Sequence, residues 1–168
     1  MTVADANLLC QLLQKEEHEY RRLLRLAWRQ GAYLRRHDVE RLEKNAGQWQ
    51  KYLRQAQYAR QQRERFTRQL GQELGLGERA AETQFLAEFA DYTNRTSIER
   101  AVQSLVQIAG DLVRQNEMNR QLAKFCLDLA QEEMRIFKQC VLEDPAGCYE
   151  GDATKTSAPP GGVLVKKA

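Results

Sequence analysis

A chain of 168 residues allows one domain of ordinary size, and three prolines and ten glycines are too few for a turn-rich sheet fold. Arg, Gln, Leu, Glu and Ala dominate the rest, a composition that favours long helices and predicts an all-α protein. The net charge of +3 hides +7 over residues 1–70 (15 Lys+Arg, 8 Asp+Glu) and −7 over residues 71–153 (8 and 15), which fits a basic N-terminal hairpin beside an acidic last helix better than a nucleic-acid binder.

The first helix is expected over about residues 5–33, with Leu9, Leu13, Tyr20, Leu24, Ala27 and Gly31 on one line and Leu8, Leu12, Leu23 and Leu26 widening it. A stripe that wide faces two neighbours, and Glu16, Glu17 and Glu19 read as its solvated side. Asp38, just before the periodic Val39 and Leu42, reads as the N-cap of a second helix over about 38–74. There Val39, Leu42, Ala46, Trp49, Leu53 and Ala56 hold a heptad that continues through Ala59, Phe66, Leu70 and Leu74. Burial of both stripes favours folding these two helices into a hairpin about Arg36 and His37. Gly75 and Gly77 end the second helix, because glycine takes the left-handed conformation a C-cap requires.

A shorter helix follows over about 78–92, carrying Phe85, Leu86, Phe89 and Tyr92. Thr96 with Glu99 has capping-box spacing, so the last helix is expected over about 97–142. Its seam runs through Ile98, Val102, Leu105, Ala109, Leu112, Asn116, Asn119, Ala123, Cys126, Ala130, Glu133, Phe137 and Cys140, a 3-4 repeat that other helices must cover. Asn116 and Asn119 interrupt that line. A polar seam residue fixes helix register, and such a pair can also hydrogen-bond a partner helix. Beyond Asp144-Pro145, prolines and glycines alternate with Ser, Thr, Ala and Lys, so 144–168 is expected to be a disordered tail after a 1–143 bundle. Tyr149 is an aromatic with no core there to explain it, and reads either as a loose contact with the bundle or as a short motif that orders on a partner.

Cys10, Cys126, Cys140 and Cys148 lack C-x-x-C spacing, and two histidines add little, so no structural metal is expected. No cofactor is expected, and neither histidine completes the Glu-x-x-His spacing of di-iron bundles. Glu132 and Glu133 point about 100° apart on a helix and cannot act as an acid/base pair, so catalysis is not expected. The arginines from Arg21 to Arg68 read as spread around the helices rather than clustered with aromatics, which argues against a nucleic-acid surface. With no basic n-region followed by an apolar stretch, and no membrane-length apolar run, a soluble cytoplasmic protein is expected, not embedded in a membrane.

Five segments carry a resemblance. They are the opening Asn7-Leu8-Leu9, the hinge Arg36-His37-Asp38-Val39-Glu40-Arg41-Leu42, the break Leu74-Gly75-Leu76, the segment Asn116-Glu117-Met118-Asn119-Arg120-Gln121-Leu122, and Cys148-Tyr149-Glu150-Gly151 in the tail. Together the layout resembles the FlgN family of flagellar type III export chaperones. The resemblance suits the elongated antiparallel bundle of three long helices and one short one that the helix pattern predicts. It implies a cytoplasmic chaperone that binds the C-terminal helices of hook-associated (hook-filament junction) proteins. The last helix would supply the groove, through Asn116, Asn119, Leu122, Phe125, Leu129 and Ile136. Tyr149 would contact a membrane protein of the export gate. A self-associating coiled-coil scaffold is the alternative, and a basic helical nucleic-acid binder a more distant one.

Overall fold

A computed structural model describes residues 1–76 and 83–142, without the side chains of Gln84, Phe85, Val141 and Leu142. Gly77, the first part of the expected short helix, the tail and Tyr149 lie outside the described residues. The elements are α1 (Val3–Arg35), α2 (Val39–Glu73), α3 (Thr83–Ala87) and α4 (Tyr92–Phe137), followed by a π-helical turn, Lys138–Leu142. No strand occurs among the described residues. The chain divides into two units, Met1–Leu122 and Ala123–Ala168, and the division falls within α4.

Helix α1 begins two residues before its expected start because Thr2 and Asp5 form a capping box. The Thr2 hydroxyl accepts from the Asp5 N–H at 3.2 Å, and the Asp5 carboxylate accepts from the Thr2 N–H at 2.9 Å. At its other end His37 takes a left-handed conformation (φ 53), and the Asp38 N–H reaches back to the Tyr33 carbonyl at 3.0 Å. Asp38 then caps α2 as expected, its carboxylate accepting from the Arg41 N–H at 3.1 Å. Gly75 closes α2 with φ 71, and the Leu76 N–H bonds the Gly71 carbonyl at 2.9 Å.

The start of α4 differs from expectation. Thr96 lies inside the helix, where its hydroxyl donates to the Tyr92 carbonyl at 3.0 Å, and Glu99 is taken by Arg95 at 2.8 Å. Asp91 supplies the cap instead, accepting from the Asn94 N–H at 3.0 Å, and that bond holds its carboxyl below the usual range.

The main apolar cluster of the first unit joins Ala6, Leu9 and Leu13 of α1, Leu70 of α2, Leu86 and Ala87 of α3, and Ile98, Val102 and Leu105 of α4. The wide stripe of α1 thus meets neighbours on two sides, though Leu8 at its margin is exposed. The α2 line holds in its second half, where Ala56, Ala59 and Leu70 are buried, with Asn45 and Thr67 buried beside it, whereas Val39 is 64% exposed and Leu53 38%. Small residues at Ala56 and Ala59 let α2 lie close to α1, and Val39 and Leu53 fall on the outer side of that contact.

The acidic run of α1 is not solvated. Glu16 is 2% exposed and Glu17 9%. The Arg63 Nε of α2 donates to Glu16 at 2.6 Å, and the other end of Arg63 donates to the Thr83 hydroxyl of α3 at 3.3 Å. Glu17 accepts from the Ser104 hydroxyl of α4 at 2.5 Å and pairs with Arg21 at 2.6 Å, while Glu19 is taken by Arg22. Each partner lies on another helix or a turn away, so sequence periodicity alone places these carboxylates on a solvated face. Burial, then the neighbouring Glu16 carboxylate, also push the Tyr20 phenol up.

Among the described residues, the expected charge complement between hairpin and last helix is not made by ion pairs. In α4 the carboxylates of Glu99, Asp111, Glu117 and Glu132 pair with Arg95, Arg114, Arg120 and Arg135 one turn away. Among the described residues, the ion pair that joins two helices is Arg63 with Glu16.

Candidate partner-binding surface

The two units present the α4 residues differently. In the first unit Asn119 is 4% exposed and faces α1. Its amide nitrogen donates to the Ala27 carbonyl at 2.7 Å and to the Gln30 side chain at 3.0 Å, and its oxygen accepts from Gln115 at 3.0 Å. On α2, Asn45 does the same to the preceding carbonyl of α1, donating to Leu26 at 3.2 Å. A helical carbonyl keeps a second lone pair after its own i+4 bond, so consecutive carbonyls of α1 can each receive an amide from a different helix. Shifting either helix by one turn would bury an unpaired amide, which is the physical basis of register fixing. Asn116 and Leu122 are half-buried in the same unit.

Gly31 makes the Asn119 contact possible, because a Cβ at that position would stand 2.7 Å from the Asn119 oxygen. Gly31→Ala is therefore expected to destabilise the chain by about 1–3 kcal/mol, despite the gain of roughly 0.5–1 kcal/mol in helix propensity. In an Asn119→Ala background the clash vanishes, and the same Gly31→Ala change is expected to stabilise by about 0.5–1 kcal/mol. Urea unfolding of the four chains checks this reversal of sign, and an equal effect in both backgrounds would contradict it.

In the second unit no described residue of α4 is buried. Phe125 is 65% exposed, and Leu127, Leu129, Met134, Ile136 and Phe137 are exposed with it. At about 100° per residue, Phe125, Leu129 and Ile136 fall within about 40° of one another, forming one stripe. The seam positions Ala123, Ala130, Glu133 and Phe137 are exposed too, and Cys126 is half-buried. The periodicity that required cover thus continues past the point where the described residues supply it. Exposed apolar side chains at this density make this face a candidate interaction surface.

The structure therefore separates the candidate residues. Asn119 joins α4 to α1, whereas Phe125, Leu129 and Ile136 share one open helical face, and Tyr149 lies outside the described residues. A basic furrow between α1 and α2 was missed by the reading of scattered arginines. Its signal was the heptad spacing of Lys15, Arg22 and Arg29 on α1, opposite Lys51, Arg54 and Tyr58 on α2.

Among the described residues no helix is long and apolar enough to cross a membrane. A family model described as FlgN protein matches residues 1–157. Neither a curated protein nor a solved structure gives a match.

Proposed function

The chain belongs to the FlgN family of flagellar export chaperones, and from that premise we propose that it acts in the cytoplasm on hook-associated proteins, binding their C-terminal helical segments and bringing them to the export gate. The observation that carries this reading is the open stripe of Phe125, Leu129 and Ile136 on α4. An amphipathic helix docks by laying its apolar face on such a stripe, with anchors three, four and seven residues apart. A chaperone for such a segment needs binding alone, without catalysis or a cofactor. Covering the segment's apolar face would block premature self-assembly.

Titrating the full chain with C-terminal peptides of hook-junction proteins in a calorimeter is expected to give a one-to-one complex. Failure with every cognate peptide would sink the substrate assignment. The stripe also suits a second copy of this chain, as a coiled-coil scaffold would use it. Sedimentation of a stable dimer that ignores all the peptides would favour that reading.

The tail supplies a separate role. Tyr149 is proposed as a contact with the export-gate membrane protein, since one aromatic in a polar segment suits a short linear motif. Tyr149→Ala is expected to leave helical content and peptide affinity unchanged while lowering secretion of the junction protein. Loss of peptide affinity in this variant would instead make Tyr149 part of the substrate surface.

A further inference from the structure

Between α1 and α2 a furrow of about 460 Å³, lined by Lys15, Glu19, Arg22, Lys51, Arg54 and Tyr58, shares Arg22 and Lys51 with a second of about 320 Å³ that adds Arg25, Arg29 and Tyr52. Six cations therefore face one carboxylate, and Glu19 is already taken by Arg22 at 3.1 Å. Arg25, Arg29, Lys51 and Arg54 have no ion-pair partner among the described residues, and Glu99, Asp111 and Glu117 of α4 in the same unit pair with arginines of their own helix.

We propose that this furrow is a second docking surface, which takes an acidic helical segment of a partner protein. Charge complementarity is the first argument, since a group of cations between two helices, four of them without an ion-pair partner among the described residues, attracts and orients an anion of matching shape. Spacing is the second. Lys15, Arg22 and Arg29 recur every seven residues, which places successive cations about 10.5 Å apart along α1. Carboxylates two turns apart on a partner helix lying in the furrow have the same spacing. The aromatic rings supply the third argument. Lys15 lies 5.8 Å from the Tyr58 ring centroid and Arg22 lies 5.3 Å from that of Tyr52, so cations already engage the rings on which unstacked bases would lie. A flat anionic bilayer, in turn, meets protruding basic and apolar side chains better than a furrow between helices.

The test uses the full chain at low salt and a fluorescein-labelled helical peptide with glutamates at heptad spacing. A peptide of the same composition with scrambled spacing, a labelled oligothymidylate and phosphatidylglycerol vesicles serve as the other probes. The heptad peptide is expected to bind most tightly, with affinity that falls as salt rises. Reversing four exposed charges together (Arg25→Glu, Arg29→Glu, Lys51→Glu, Arg54→Glu) is expected to weaken it roughly tenfold or more. Reversing Arg114 and Arg120 of α4 is expected to leave it unchanged, as is replacing Arg25, Arg29 and Arg54 by lysine. Circular dichroism checks folding, and alanine at the same four positions replaces the reversals if they unfold the chain. Binding of hook-junction peptides to these variants is expected to stay intact, so the outcome is independent of the substrate assignment. The proposal is overturned if the heptad peptide does not bind at low salt or if the four-site variant binds it equally well. Tighter binding of the oligonucleotide or the vesicles, lost in the same variant, would overturn it as well.

Discussion

Replacing Arg63 by alanine is expected to lower the stability of the chain by about 3–5 kcal/mol, the largest effect of any single change at a polar residue in the first unit. Glu16 is 2% exposed and receives the Arg63 guanidinium at 2.6 Å, and Arg63 itself is largely covered. Removing the cation leaves the buried carboxylate beside the Tyr20 hydroxyl, which can hydrogen-bond it but cannot neutralise it. Arg60 cannot fully take over, since it is held by Glu64 at 2.7 Å. A double change, Glu16→Met with Arg63→Met, is expected to recover most of the loss, because an apolar pair carries no uncompensated charge. Urea unfolding of the three chains measures both effects. A cost below about 1 kcal/mol for Arg63→Ala would mean that the pair behaves as a solvated surface bridge.

The second large effect is on binding. Phe125→Asp combined with Leu129→Asp is expected to weaken the complex with a hook-junction C-terminal peptide by roughly a hundredfold or more, while leaving helical content unchanged. Both residues are exposed in the free chain, so their replacement removes little folding energy. In the complex each would bury a charge against an apolar helix. Calorimetric titration of the variant checks the affinity. An undiminished complex would place the substrate elsewhere on the chain.

Much of the helical layout was legible because it rests on local physics. The Asp38 cap and the glycine that ends α2 are set by backbone groups within a few residues, and the wide stripe of α1 needs only its own periodicity. Asn119 was legible as a polar break in an apolar seam, and its bonds to Ala27 and Gln30 of α1 are of the interhelical kind that such a residue can make. The features that escaped depend on which helix lies opposite. Glu16 and Glu17 look solvated until Arg63 and Ser104 arrive from residues far along the chain. In α2 the expected line is buried at Ala56, Ala59 and Leu70 but exposed at Val39 and Leu53, and periodicity alone does not say which members of a line meet α1. The cap of α4 at Asp91 escaped because Thr96 and Glu99 copy a capping box inside the helix. The basic furrow escaped because arginines counted along a sequence look scattered until two helices bring their heptad lines together. The apolar stripe of Phe125, Leu129 and Ile136 was legible as a binding face, but the exposure of the seam positions Ala123, Ala130 and Phe137 beside it was not, because periodicity alone does not say where cover ends.

The central claim is that the apolar face of α4 beyond Leu122 receives the export substrate. Backbone hydrogen exchange of the full chain, with and without a saturating hook-junction C-terminal peptide, tests it most directly. The expected result is slowed exchange within residues 123–137 on adding the peptide, with little change along the furrow between α1 and α2. A saturated complex in which 123–137 exchange as fast as in the free chain would contradict it.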